Sequence, residues 1–233
     1  STRVRSSAAS DVYKRQLGIP AAVFPARDYV LRPIEGTARE YEYRRLAVLG
    51  ELVGGRLRAV AVPAEALTQF TTPKEDFCAN TRTLHAGDTL LRDDLLAALF
   101  GAGYTRRAQV DGPGQFSVRG DIVDIFAPDQ KMPVRMEFWG DEIDTLHTFD
   151  LTTQRREDAI DKFYLSPARE VLFGKPADAA EQLRAFLAKQ RGKKKTAMAD
   201  CMAADLDLLD GGAVPVNMDK YLACLLYTSP SPR

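Results

Sequence analysis

The sequence predicts an α/β remnant into which a separate α+β domain, built on an antiparallel β-meander, has been inserted. Three observations carry that expectation. A helix-strand-helix alternation opens the chain, four short β-runs crowd between residues 115 and 149 with turn residues between them, and amphipathic helical periodicity returns beyond Pro167.

The elements follow in order. "GIPAAVFPARDYVLRPIEG" is a short apolar patch followed by a loop punctuated by proline. Thr37 and Glu40 have the T-x-x-E spacing of a capping box, and Tyr41, Leu46, Leu49 and Val53 then recur near the helical period until Gly54 and Gly55 stop it. "RAVAVP" reads as a short buried strand and "AEALTQF" as a helical turn or two. After "TTPKEDF" the pattern changes: "TRTLHAGD" is a strand running into a turn, and Leu91, Leu95, Leu96 and Leu99 mark an amphipathic helix ending at Gly101 or Gly103. The β-runs are 115–119, 121–126, 134–139 and 142–149, with turns at Gly120, "PDQKMP" and "GDE". Beyond them "DAAEQLRAFLAKQ" is an amphipathic helix, and "RGKKK" reads as a basic solvated turn.

The two ends do not read like the rest. Back-translated "DVYKRQ" (11–16), taken on the complementary strand one base out of frame, yields "CLLYTS" (224–229), an inverted repeat resembling a sequencing-library adapter. Residues 1–16 and 224–233 are therefore expected to be adapter scars outside the fold, and 17–223 a piece of a longer protein. Within it, 17–80 and 167–223 form the two segments of the α/β unit and 81–166 the inserted domain.

Setting the scars aside removes five basic side chains and one acid from 32 of each, leaving 27 basic against 31 acidic. A mildly acidic chain lacks the footprint of a domain that holds DNA by neutralising phosphates. Cys78 and Cys201, far apart and without C-x-x-C partners, suggest a reducing compartment, with the cytoplasm as the default. No apolar run approaches the roughly eighteen residues of a membrane span.

Several catalytic readings fail on context. "GDEID" has the acids of a magnesium-holding box, but Gly140 makes a hairpin turn and no G-x-x-x-x-G-K-[ST] phosphate loop exists in the chain. "GPGQF" opens a strand rather than a helix, so no helix N-terminus receives an anion there. His85 and His147 have no ligand-spaced partners. No catalytic residue, metal site or cofactor site is assigned, and neither ATP binding nor hydrolysis is expected.

The residues of interest lie in "QFSVRGDIVDIFAP" and "VRMEFW". Alternation sends Val134, Met136 and Phe138 to one face and Arg135, Glu137 and Trp139 to the other, with Arg119 outward on the neighbouring run. Arg and Trp are frequent interface anchors, because each buries much area and Arg adds planar charge-assisted bonds. The plainer alternative is that Arg119 and Arg135 pair across strands with Asp121, Asp124 or Glu137. Pattern alone leaves both readings open.

A resemblance bears on the choice. "GPGQFSVRGDIVDIFAPDQKMPVRMEFWGDEIDTLHTFDLTTQR" is similar in wording and spacing to the UvrB-like module of bacterial transcription-repair coupling factors. The upstream "FPARDYVLRPIEGTAREYEYRRLAVLGEL" and "AVAVPAEALTQ" and the downstream "FYLSPAREVLF" also resemble that family. The excinuclease subunit UvrB shares the middle domain and is the alternative. The resemblance implies a first domain that is a degenerate helicase-like fold without its nucleotide site, and an inserted domain that recruits UvrA. It places UvrA contacts on Arg119, Arg135 and Trp139, where the family often has Phe at the last position. It further implies a parent that is an ATP- and magnesium-dependent DNA translocase acting on RNA polymerase and duplex DNA in nucleotide excision repair. Alanine at any of the three positions is then expected to weaken UvrA binding with little change in stability.

Overall fold

The computed structural model describes residues 18–27, 38–173, 175–215 and 218–228. Thr37 of the capping box, the expected scar 1–16 and residues 229–233 of the expected scar 224–233 lie outside the described residues.

The opening unit is a parallel β-α-β crossover. Strand β1 (Ala21–Val23) leads through helix α1 (Ala38–Val53) to β2 (Ala59–Ala61), which pairs with β1 in parallel, Ala22 opposite Val60. Phe24, Val48 and Ala66 form its small core. Two short helices follow, α2 (Ala64–Leu67) and α3 (Lys74–Ala79), each entered through a proline that presets the backbone angle, Pro63 and Pro73.

Next comes the larger unit. Strand β3 (Arg82–His85) pairs antiparallel with β10 (Lys162–Leu165), and α4 (Arg92–Gly101) packs on a six-stranded sheet. Its strands, in spatial and chain order, are β4 (Thr105–Arg106), β5 (Gln115–Arg119), β6 (Ile122–Phe126), β7 (Val134–Trp139), β8 (Glu142–Phe149) and β9 (Arg156–Ala159). All neighbours are antiparallel except β4 with β5. The mixed α/β chain with an antiparallel meander is thus as expected, with each of the four predicted β-runs in place. The two outermost strands were not predicted: one is two residues long, and the other, "REDA", is exposed throughout, so neither carries an apolar alternation.

Period-two alternation builds the core. Phe116, Val123, Ile125, Val134, Met136, Phe138, Ile143 and Leu146 face α4, whose Leu95 and Leu99 are fully buried, with Leu84, Phe163 and Leu165 closing the margin. Phe100 meets the Phe116 ring edge-on at 5.2 Å. Leu91 sits at the N-cap and is half exposed, so the predicted helical stripe is carried by Leu95 and Leu99.

The C-terminal part is helical: α5 (Pro176–Lys189), α6 (Gly192–Asp210), a 3-10 turn (Met218–Tyr221) and α7 (Leu222–Thr228). "RGKKK" is not a turn but the entry to α6, with Arg191 as N-cap. Lysines in a first turn oppose the helix dipole, and Met202 and Leu209, buried in the shared core, hold this helix instead. Within the expected scar 224–233, the described residues Cys224 and Leu225 are buried in the same cluster as Leu183, Leu187 and Leu222. Apolar residues at helical spacing find a partner face whatever the history of the gene. Among the described residues no helix is long and apolar enough to cross a membrane.

A buried ionic knot joins the three parts. Arg45 on α1, fully buried, donates from Nε to Glu170 Oε1 at 2.5 Å and from Nη1 to the Pro25 carbonyl at 2.7 Å, with its guanidinium 4.1 Å over the Phe24 ring. Arg27 pairs with the other oxygen of Glu170 and reaches Asp219 in the 3-10 turn, Nε to Oδ2 at 3.6 Å. The Glu170 backbone amide donates to Glu42 at 2.9 Å, and Thr72 donates to its carbonyl at 2.5 Å.

A second tie is Asp129, in the loop after β6, which accepts from Ser166 at 2.7 Å and lies 3.9 Å from Arg56. Burial pushes its carboxyl above the ordinary 3.8, with the Ser166 bond partly offsetting the rise. The native state therefore holds this proton more tightly than the unfolded chain does. Its contribution to stability is greatest below pH 3.8 and is lost as pH climbs through the raised value. Asp129→Asn removes the titration while keeping the acceptor. The variant's stability relative to the parent should rise from pH 3 to pH 7 in urea unfolding; a pH-independent difference would refute the assignment.

Candidate functional site

Two tight turns shape one end of the sheet. Gly120 and Gly140 have φ of +60° and +62°, conformations that glycine reaches at no steric cost, and they close the β5-β6 and β7-β8 hairpins. Because β5 and β7 run the same way, both tips fall at the same end. "GDEID" is accordingly a hairpin, as its context demanded.

On the face opposite α4, cross-strand pairing makes polar rows. Ser117, Asp124, Arg135 and His147 lie opposite one another in one row, and Arg119, Ile122, Glu137 and Thr145 in the next. Trp139 stands two residues further toward the hairpin tip, paired with Glu142. The alternation therefore assigned faces correctly: Arg119, Arg135 and Trp139 share the side away from the main core.

Their surroundings differ sharply. Trp139 is 83% exposed. Arg119, with its side chain 47% exposed, donates from Nη2 to Asp124 Oδ2 at 2.6 Å. Arg135 is not on the surface as expected: its side chain is 11% exposed. It grips Asp124 with two bonds, Nε to Oδ1 at 2.7 Å and Nη2 to Oδ2 at 3.0 Å, and donates from Nη1 to the Gln154 carbonyl at 3.3 Å. Its guanidinium lies 4.7 Å over the Phe149 ring. The hydrogen bonds to Asp124 raise its pKa above the ordinary arginine value, so it is charged at any physiological pH. Burial arises because this face carries a second small core of Val110, Phe126 and Phe149, and the 150–154 turn folds beside it. Asp150 caps that turn through the amides of Thr152 and Thr153. Those bonds, led by the Thr153 amide, hold the Asp150 carboxyl below its ordinary range.

The anchor reading and the cross-strand pairing reading thus describe the same residues. Asp124 is the shared acceptor, fully buried, and was named in the sequence only among possible partners. The signal that could have singled it out is its register: an acid on the same face as two arginines, one strand from each. Glu137 is separately engaged by Arg156 and accepts from Thr145 at 3.3 Å. Beside the hairpin tips, Arg92 donates to the Gly120 carbonyl at 2.8 Å and braces the β5-β6 turn against α4.

The helix-backed meander is what the comparison recognises: residues 83–171 match the UvrB interaction domain. Relatives along the chain include transcription-repair-coupling factors. That of Bacillus subtilis is 26% identical over 216 residues, covering 90% of this chain and 18% of its own length. That of Myxococcus xanthus is 39% identical over 119 residues, 51% of this chain and 10% of its own. UvrABC system protein B of Chlorobium limicola is also similar, 32% identical over 165 residues, 71% of this chain and 23% of its own. The chain therefore spans less than a quarter of the length of any of these three relatives.

Proposed function

We propose that this chain is the UvrA-recruiting part of a transcription-repair coupling factor acting in nucleotide excision repair. The observation that carries the reading is the UvrB interaction domain over residues 83–171, supported by the similarity to coupling factors that extends across 90% of the chain. Arg119 and Trp139 are its exposed anchors, and Arg135 completes the site from beneath. The flanking β-α-β unit and C-terminal helices are the remnant of a degenerate helicase-like domain, a reading supported by the parallel β1-β2 pair and by the similarity to coupling factors across 90% of the chain. Contacts with RNA polymerase and duplex DNA, and an ATP- and magnesium-driven motor, belong to the parent protein, which works in the cytoplasm.

Calorimetric titration of the whole chain with purified UvrA tests the reading; saturable binding is expected, and no heat with no co-elution would sink it. In the same instrument, ATP with magnesium should give no saturable binding, because no loop of backbone amides is available to cradle its phosphates. A measured stoichiometric site for ATP would reverse that conclusion.

The similarity to UvrABC system protein B over 71% of the chain favours a second reading, the front of an excinuclease subunit. The two part on the gene upstream of residue 17, where an excinuclease subunit must encode a phosphate loop and a coupling factor need not.

A further inference from the structure

We infer that Asp124 is a positioning residue for partner binding: its buried carboxylate holds Arg119 against the sheet with the rest of the guanidinium turned outward to an acceptor on the partner. This rests on the reading of Arg119 as a UvrA anchor. The geometry is a fork with unequal arms. Arg135 spends Nε and Nη2 on Asp124 and Nη1 on Gln154, so its donor edges are committed within the fold. Arg119 spends Nη2 alone, at 2.6 Å, and its side chain remains 47% exposed.

Charge balance points the same way. Two guanidinium groups share one carboxylate, which leaves a surplus of one positive charge. Arg135 is buried against Phe149 and doubly bonded to the acid, so the surplus is presented by Arg119. A carboxylate or carbonyl on the partner is the chemical complement of that surplus. Pre-ordering matters as much as charge, because a free arginine side chain carries rotamer entropy that binding must otherwise remove. Asp124 has already fixed it before the partner arrives. Ser117, directly across β5 from Asp124, is buried and small, so the carboxylate is reached from Arg119 and Arg135 without a competing long side chain from that strand.

The test is a double-mutant cycle on the whole chain, with UvrA affinity read by calorimetry on variants shown to be folded. Asp124→Asn should weaken binding by about tenfold or more, and in an Arg119→Ala background by a clearly smaller factor, because the acid acts chiefly through that arginine and only the remainder passes through Arg135. In the isolated chain, the Arg119 Nη nitrogen signals should be resolved from one another in the parent and merged in Asp124→Asn, a readout that fold stability alone does not move. Should Asp124→Asn fail to fold, Asp124→Glu keeps a charge for Arg135 while shifting the acceptor by one methylene, and the same cycle is run with it. Unchanged affinity for the Asp124 variants beside a weakened Arg119→Ala overturns the positioning role alone. An equal loss with and without Arg119 also overturns it. Unchanged affinity of Arg119→Ala overturns the reading of the face itself.

Discussion

Replacing Glu170 with alanine should destabilise the protein by about 3 to 5 kcal/mol, the range for removing one partner of a buried ion pair. The magnitude follows from what is left behind. Arg45 is fully buried and Arg27 nearly so, and Glu170 faces both. Without the carboxylate, Arg45 keeps the Pro25 and Phe70 carbonyls, the Gln69 side-chain oxygen and the Phe24 ring, which satisfy donors but do not neutralise charge. The counterpart experiment makes the cause explicit: Arg45→Met with Glu170→Met removes charge and countercharge together. It should cost far less than Glu170→Ala alone, because apolar replacement of a buried pair is often neutral. Urea midpoints at neutral pH measure both, and a Glu170→Ala loss below about 1 kcal/mol would show that water already reaches the knot.

The second large effect is on binding. Trp139→Ala should weaken UvrA affinity by about 1 to 4 kcal/mol, the range of interface anchors, while the urea midpoint stays within error. Exposure decides this split: a ring that is 83% exposed contributes almost no burial to the fold and has nearly all of its surface left to give to a partner. Arg119→Ala should behave likewise. Arg135→Ala should not, because it strips Asp124 of two bonds inside a buried row and so lowers stability together with affinity. A Trp139→Ala chain with parental affinity would remove the hairpin tip from the interface.

The meander was legible because its four long strands are short β-prone runs, alternation is clear in "QFSVR" and "VRMEF", and each turn is marked by Gly or Pro. What alternation could not supply is the state of the far face. Val110 comes from a loop and the 150–154 turn from beyond β8, and only their return to the sheet buries Arg135. The ionic knot was illegible for a related reason: Arg27, Arg45, Glu170 and Asp219 are separated by up to 192 residues, and each alone reads as a surface charge. Helix α6 was hidden by its basic entry and its alanines and aspartates, a pattern whose apolar stripe is too thin to announce a buried side.

Trp139 is the only tryptophan in the chain, and its exposed place on the hairpin makes it an optical reporter with a narrow field of view. Its indole is already wet in the native state, so unfolding changes its environment little and its emission should stay red through a denaturation curve that circular dichroism sees clearly. A docked partner is the one event that dries it. A blue shift of its fluorescence therefore counts occupied hairpins rather than folded chains, and the two signals can be followed on the same sample.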